Sequence, residues 1–131
     1  MAERIKAVVK TFRDLVAWQR AMDLVVAVYD ASRGFPKEEA FGLTGQLRRA
    51  VVSVPSNLAE GFGRRSRMEY ARYILMSLAS LFEVQTQLEI AWRLEYLTRE
   101  NFEKLNSLSR EVEYLSSRLR QKMLASPTKT E

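Results

Sequence analysis

The chain has 131 residues, of which 47% are hydrophobic and 28% are charged, a composition that suits one globular domain with its own core. It contains neither Cys nor His, which excludes disulfides, thiolate or imidazole catalysis and the usual zinc ligands. The carboxylates that remain for acid–base or metal chemistry, such as Glu60, Glu69 and Glu83, have no spacing that brings them together. We therefore expect a protein that is not an enzyme and has no cofactor or metal.

Apolar side chains recur at steps of three and four from residue 15 to residue 33, and this period predicts the first helix. They are Leu15, Trp18, Met22, Val25, Val26 and Tyr29. Asp14 is a suitable N-cap, and Gly34, which is soon followed by a proline, is a typical helix end. Residues 1–13 form an N-terminal extension without the apolar run of a signal peptide or membrane span, so the expected location is the cytoplasm.

The second helix is predicted to begin after Gly42 and to end at Gly61 and Gly63. Its apolar stripe consists of Leu43, Leu47, Ala50, Val51, Val54, Leu58 and Phe62. Pro55 stands inside this pattern, where it removes a backbone N–H and crowds the carbonyl one turn earlier. A kink is the expected result; the alternative is a helix that breaks at residue 54 and restarts with Pro55 in its first turn.

The third helix is predicted to begin after Ser66, because Ser66 and Glu69 have the spacing of a capping box, and to end near residue 96. Its apolar side chains are Ala71, Ile74, Leu75, Leu78, Leu81, Phe82, Leu88 and Trp92. Thr98 can cap the fourth helix, whose apolar side chains follow a coiled-coil spacing. They are Leu105, Leu108, Val112, Leu115 and Leu119.

Short connections between four amphipathic helices favour antiparallel neighbours. The sequence therefore predicts an all-α fold, an antiparallel up-and-down four-helix bundle over residues 14–125. Residues 126–131 are polar and follow the last apolar position, so we expect a frayed C-terminal tail.

A second, polar stripe runs along the second helix. It consists of Gln46, Arg49, Ser53, Asn57 and Glu60, at steps of three and four. Amides and hydroxyls in line are typical of a packed polar seam whose members satisfy one another, within the bundle or at a subunit interface. The alternative is a solvated face that is short of charges.

Positive charge is concentrated in one part of the chain. The net charge is +5, and residues 41–72 carry six Arg side chains against two Glu. We expect a basic patch that binds nucleic-acid phosphates without reading sequence. Its members are Arg48, Arg64, Arg65, Arg67 and Arg72. The alternative is an ordinary solvated turn, and the nearby Tyr70 is expected in the core rather than stacked on a base.

Several motifs occur in an order that identifies a family. Gln-Leu-Arg-Arg-Ala at residues 46–50 and Asn-Leu-Ala-Glu-Gly at residues 57–61 are the most distinctive, and Glu-x-Gln-Thr-Gln-Leu follows at residues 83–88. From residue 11 to residue 97 the chain resembles the four-helix-bundle proteins encoded in intervening sequences of bacterial 23S rRNA genes. That family is similar to the accessory protein of diversity-generating retroelements, a basic pentamer that works with a reverse transcriptase and nucleic acid. The resemblance implies a homopentamer, no catalytic activity and a role linked to nucleic acid.

Two hypotheses about function follow. The first is an oligomeric, non-enzymatic protein that binds the RNA or DNA backbone through its basic surface. The second is an assembly module that docks an acidic protein partner, such as an enzyme that processes nucleic acid. A membrane surface is not an expected partner, because the sequence predicts no exposed apolar face beside the basic residues.

Overall fold

The computed structural model describes residues 8–125, and within them it contains helices and no strand. The four α-helices are α1 (Val16–Ser32), α2 (Leu43–Phe62), α3 (Arg67–Arg93) and α4 (Arg99–Leu124). Short 3-10 helices precede α1 and α2, at Phe12–Asp14 and Lys37–Glu39. Most of the predicted N-terminal extension and all of the predicted frayed tail lie outside the described residues.

The helices stand at the corners of a square. α1 packs on α2 and α4, and α3 packs on the same two helices, whereas the diagonal pairs of the described helices are not in contact. The connections between consecutive helices are short, so each helix runs antiparallel to the one before it. The predicted all-α up-and-down bundle is confirmed. No helix in residues 8–125 is both long enough and apolar enough to cross a membrane.

Pro55 does not interrupt α2, so the alternative of a break and restart at this residue is wrong, and the expected kink stays a prediction. Two side chains that follow Pro55 bond back to carbonyls one turn earlier, a type of contact that often bends a helix. The Ser56 hydroxyl donates to the Val52 carbonyl at 2.9 Å, and the Asn57 amide donates to the Ser53 carbonyl at 2.9 Å.

Gly61 was expected to end α2, but it lies inside the helix and is buried. A Cβ atom at this position would stand 2.8 Å from the Cβ of Tyr73 and 3.0 Å from a ring carbon of Tyr70. Gly61 therefore permits a close approach of α2 to α3, and Gly63 is the residue that caps α2.

The core confirms the predicted stripe on α2, where Leu47, Val51, Val54 and Leu58 are fully buried. The predicted stripe on α1 is partly wrong. Its buried face consists of Ala17, Ala21, Leu24 and Val28, whereas Met22, Val26 and Tyr29 are exposed. Alanine adds little to an apolar pattern, so the sequence gives only a weak signal for this buried face. On α3, Leu75 and Phe82 were also expected inside and are about half exposed.

Side-chain caps begin α3 and α4 as predicted. The Ser66 hydroxyl accepts from the Glu69 N–H at 3.0 Å, and the Thr98 hydroxyl accepts from the Asn101 N–H at 3.1 Å. Asp14 does not cap α1, because it closes a capping box with Thr11 around the 3-10 helix instead. The N–H groups of Thr11 and Lys10 lower the pKa of Asp14.

α3 ends at Arg93, three residues earlier than predicted, in a Schellman turn. The Tyr96 N–H donates to the Ala91 carbonyl at 2.8 Å and the Glu95 N–H donates to the Trp92 carbonyl at 2.9 Å. Glu95 adopts a left-handed conformation with φ of 65°. Because glycine is the usual residue at this position, the sequence carries no signal for the turn.

Candidate nucleic-acid interface

Charge is distributed unevenly along the axis of the bundle. At one end α1 and α3 begin and α2 and α4 end; we call residues 8–20, 56–72 and 115–125 the basic end. It carries ten Lys and Arg side chains against three Asp and Glu. The ten are Lys10, Arg13, Arg20, Arg64, Arg65, Arg67, Arg72, Arg118, Arg120 and Lys122. The opposite end, residues 27–50 and 88–107, carries seven of each sign.

Two of the predicted phosphate-binding arginines lie beside the ring of Tyr73. The Arg64 guanidinium donates to the Tyr73 hydroxyl at 2.7 Å and lies over its ring, 4.6 Å from the centroid. The Arg72 guanidinium stands 5.8 Å from the same centroid. Arg65, which lies between these two residues in sequence, is exposed. No residue from 8 to 125 forms a salt bridge or hydrogen bond with its side chain. These three side chains present charge to solvent at the turn between α2 and α3.

Arg67 has a structural role at the same end. It donates to the Lys122 carbonyl at 2.7 Å and to the Met123 carbonyl at 3.4 Å. These bonds satisfy carbonyls of the last turn of α4, which no longer have helical partners. Arg67 therefore ties the start of α3 to the end of α4 and holds their cations next to one another.

Arg48, the fifth residue of the predicted patch, is not brought to the other four. It donates to the Ser32 hydroxyl at 2.9 Å and to the Tyr29 carbonyl at 3.3 Å, and it lies over the Tyr29 ring at 4.6 Å. These contacts cap the end of α1 at the opposite end of the bundle. Arg48 precedes Arg64 by sixteen residues, which is about 24 Å along a helix.

The polar stripe on α2 divides into a packed centre and exposed ends. The hydroxyls of Ser53 and Ser80 are hydrogen-bonded at 2.8 Å, and the Asn57 amide donates to the Ser53 hydroxyl at 2.9 Å. Arg49 and Glu60 are exposed, and Gln46 is exposed but accepts a hydrogen bond from the Gln87 amide of α3 at 3.5 Å. The seam interpretation thus describes Gln46, Ser53 and Asn57, and the solvated-face interpretation describes Arg49 and Glu60.

An open groove lies between α2 and α3 beside this stripe, with a volume of about 420 Å³. Its lining comes from both helices and is mainly polar. The residues are Gln46, Arg49, Ala50, Ser53, Ser80 and Glu83. Within residues 8–125, no three carboxylates come close enough together to hold a metal ion.

Three cations of α4 belong to the basic end although sequence reasoning did not select them. They are Arg118, Arg120 and Lys122. The Arg118 guanidinium donates to the Tyr114 hydroxyl at 2.8 Å. Nothing local marks these residues, because they lie more than forty positions after the α2–α3 turn. The predicted antiparallel order of the helices could have identified them, because it places the end of α4 beside the start of α3.

Exposed apolar side chains accompany the charge, contrary to the sequence-based expectation. Met68 is 70% exposed and Leu75 is 47% exposed. They line a groove of about 340 Å³ between α3 and α4, together with Arg72 and Arg120. Tyr70, in contrast, is part of the core as predicted, and its burial raises the pKa of its hydroxyl to about 12.

Comparison with known proteins agrees with this architecture. A family model described as 23S rRNA-intervening sequence protein matches residues 13–118. Among solved structures, the chain is similar to a protein with unknown function from the S23 ribosomal protein family of Bacteroides thetaiotaomicron. The TM-score is 0.74 at 23% sequence identity, over 81% of this chain and 96% of that chain. At this identity the similarity concerns the fold alone. No curated protein matches the chain.

Proposed function

The chain belongs to the 23S rRNA-intervening sequence protein family, and from this premise we propose that it binds the phosphate backbone of RNA or DNA through its basic end, without catalysis. The observation that carries the proposal is the separation of charge between the ends. The basic end carries ten cations and three anions, with Arg20 also paired to Asp23 and Glu111 just outside its ranges, whereas the opposite end carries seven of each sign. Such a one-sided field attracts polyanions over distances of a Debye length.

The chemistry of the basic end suits phosphate. Guanidinium groups pair with phosphate oxygens through two parallel hydrogen bonds. The N-terminus of α3, a 27-residue helix, adds the positive end of its dipole beside Arg64 and Arg65. Contacts of this kind go to the backbone rather than to base edges, so binding is expected to be tolerant of sequence.

Self-association is the second part of the proposal, and the outer face of α3 is its proposed site. Exposed apolar side chains continue along much of this helix and its end, an arrangement typical of an interaction surface. They are Met68, Leu75, Met76, Phe82, Ile90 and Leu94. A ring of five copies, as the resemblance implies, would place five basic ends on one assembly and bind a polyanion multivalently. Light scattering measures the number of copies. The cytoplasmic location likewise stays a prediction.

The experiment compares two charge reversals of equal size by fluorescence anisotropy with labelled duplexes of unrelated sequence. Arg64→Glu, Arg65→Glu and Arg72→Glu together alter the basic end. Arg33→Glu, Lys37→Glu and Lys104→Glu together alter the opposite end as the matched control. We expect the basic-end variant to lose at least about a hundredfold in affinity at 0.1 M salt and the control to lose under about fivefold.

Equal losses in the two variants would show that net charge, and not the basic end, attracts the nucleic acid. No binding by the unaltered protein at low salt would favour the second candidate, docking of an acidic protein. One observation favours that candidate, namely the apolar groove between α3 and α4 with Arg72 and Arg120 on it. Anionic lipid vesicles serve as a further control for a polyanion that is not a nucleic acid.

A further inference from the structure

We infer that the basic end binds double-stranded nucleic acid in preference to single strands. The inference rests on the proposed function and adds the form of the ligand. Two features of the basic end support it: the aromatic rings there already have partners, and the cations are spread over several corners of the bundle. Proteins that bind single strands combine a basic groove with free aromatic faces on which bases stack.

The aromatic rings of the basic end, and Tyr73 directly beside it, are engaged within the chain. Tyr73 carries Arg64 over its ring at 4.6 Å. Tyr70 is half-buried and meets the ring of Phe62 edge-on at 6.2 Å. The remaining pair, Phe12 and Trp18, pack edge-to-face at 5.2 Å, and Arg13 lies over Phe12 at 4.8 Å. Among the described residues, this end therefore offers no free ring to a base.

Tyr114 lies just outside the basic end and is the nearest exposed aromatic ring, with 59% of its surface accessible. The Arg118 guanidinium stands 5.7 Å from its ring centroid and hydrogen-bonds to its hydroxyl. One face of this ring is thus occupied by a cation. Tyr114 is consequently the residue with which stacking by a single strand can be tested.

The cations come from separate corners of the bundle. Arg64 and Arg65 lie in the α2–α3 turn, Arg118 and Lys122 lie on α4, and Arg13 precedes α1. Neighbouring helix axes are about 8–10 Å apart, so a four-helix end is about 20 Å across with its side chains. The grooves of a B-form duplex are about 6 and 12 Å wide. A surface of this width can therefore contact phosphates of both strands across a groove, whereas a single strand presents only one row of phosphates.

Two cations of the basic end are restrained by hydrogen bonds. Arg67 bonds to carbonyls of the last turn of α4, and Arg64 donates to the Tyr73 hydroxyl. Restrained cations favour a ligand whose phosphates are also rigidly spaced, because less conformational entropy is lost on binding. A flexible single strand must be ordered before it makes the same contacts.

The test uses one fluorescein-labelled 24-nucleotide DNA strand of mixed sequence, alone and annealed to its complement, with the unaltered protein at several salt concentrations. We expect the duplex to bind at least about tenfold more tightly and with a steeper dependence on salt, because more phosphates are contacted. The same comparison with an RNA strand and duplex is expected to show the same direction. Tyr114→Ala is expected to leave the preference unchanged.

Equal or tighter binding of the single strand would overturn the inference and leave the proposed function intact. A preference for the duplex that disappears in Tyr114→Ala would also overturn it, since the ring and not the spread of cations would then decide. Binding of neither form by the unaltered protein would instead contradict the proposed function itself.

Discussion

At the opposite end of the bundle most cations have an anion or carbonyl as a partner, whereas several at the basic end have none within residues 8–125. The opposite end contains three exposed salt bridges, Arg33–Asp30 at 3.4 Å, Arg93–Glu89 at 2.9 Å and Arg99–Glu103 at 3.5 Å. At the basic end, Arg20 forms salt bridges with Asp23 and Glu111, whereas Arg65, Arg72 and Lys122 form none with a described residue. Exposed pairs contribute only about 0–1 kcal/mol each, so the difference affects stability little.

The difference does change the electrostatic field. Paired charges cancel within a few ångströms, whereas unpaired charges of one sign add their potentials and attract a polyanion. Gathering like charges brings no gain in folding stability, which supports an external ligand as the reason for the arrangement. The same four helices thus form one end whose charges are balanced and another on which positive charge predominates.

The largest expected effect concerns glycines at the two ends. Gly61→Ala at the basic end forces a Cβ to within 2.8 Å of Tyr73, which costs about 3 kcal/mol, reduced to about 2 kcal/mol by the better helix propensity of alanine. Gly34→Ala at the opposite end is the control, because a Cβ there meets nothing within 4 Å. It is expected to stabilise by up to about 1 kcal/mol. Urea denaturation measures both, and equal stabilities would show that α2 and α3 have room to separate.

Arginine-to-methionine substitutions separate stability from binding. Arg48→Met removes the bonds that join α2 to the end of α1, including that to the buried Ser32, and is expected to cost about 1–2 kcal/mol without changing nucleic-acid affinity. Arg65→Met is expected to change stability by less than about 0.5 kcal/mol and to weaken binding several-fold. Chemical denaturation and anisotropy are the two measurements. If Arg48→Met lost as much affinity as Arg65→Met, the two ends would not differ in their contribution to nucleic-acid binding.

Two glutamate-to-glycine substitutions at the opposite end are expected to change stability without changing nucleic-acid binding. Glu95→Gly relieves a left-handed backbone conformation and is expected to stabilise by about 1 kcal/mol. Glu103→Gly, inside α4 at the same end, is expected to destabilise by about 1 kcal/mol. Both variants lose one negative charge, so they form a matched pair. Thermal melting that moved in the same direction for both would contradict the conformational explanation.

The smallest expected effect is a dependence of folding stability on pH, which involves one carboxylate at each end. Backbone N–H groups lower the pKa of Asp14 from 3.8 at the basic end and that of Glu39 from 4.5 at the opposite end, where the Tyr96 hydroxyl also contributes. A carboxyl whose pKa falls on folding stabilises fully above its unfolded-state pKa and loses this contribution as the pH falls through the folded value. Asp14→Asn and Glu39→Gln should therefore lower the melting temperature slightly at pH 7 and by less at pH 2. A deficit of the same size at both pH values would exclude these carboxylates as its source.

The polar stripe shows how far a pattern of residues can be interpreted. Its spacing placed five residues on one side of α2, and a packed seam and a solvated face were both consistent with it. The partner helix decided between them position by position, because Ser80 and Gln87 of α3 contact Ser53 and Gln46 but leave Arg49 at the surface. The residue pattern of a single helix contains no information about how closely the neighbouring helix approaches it.

The sequence by itself determined the four helices, their caps at Ser66 and Thr98 and the antiparallel bundle, because helical periodicity and capping act within a few residues of chain. Only the tertiary structure decided that α1 packs through Ala17 and Ala21, since which side of a helix is buried depends on where its neighbours lie and not only on the spacing of its large apolar residues. It alone joined the cations of α4 to those of the α2–α3 turn and placed Arg48 at the other end. The charges of a surface come from segments far apart in sequence, and their distances are set by the length and packing of the helices that carry them.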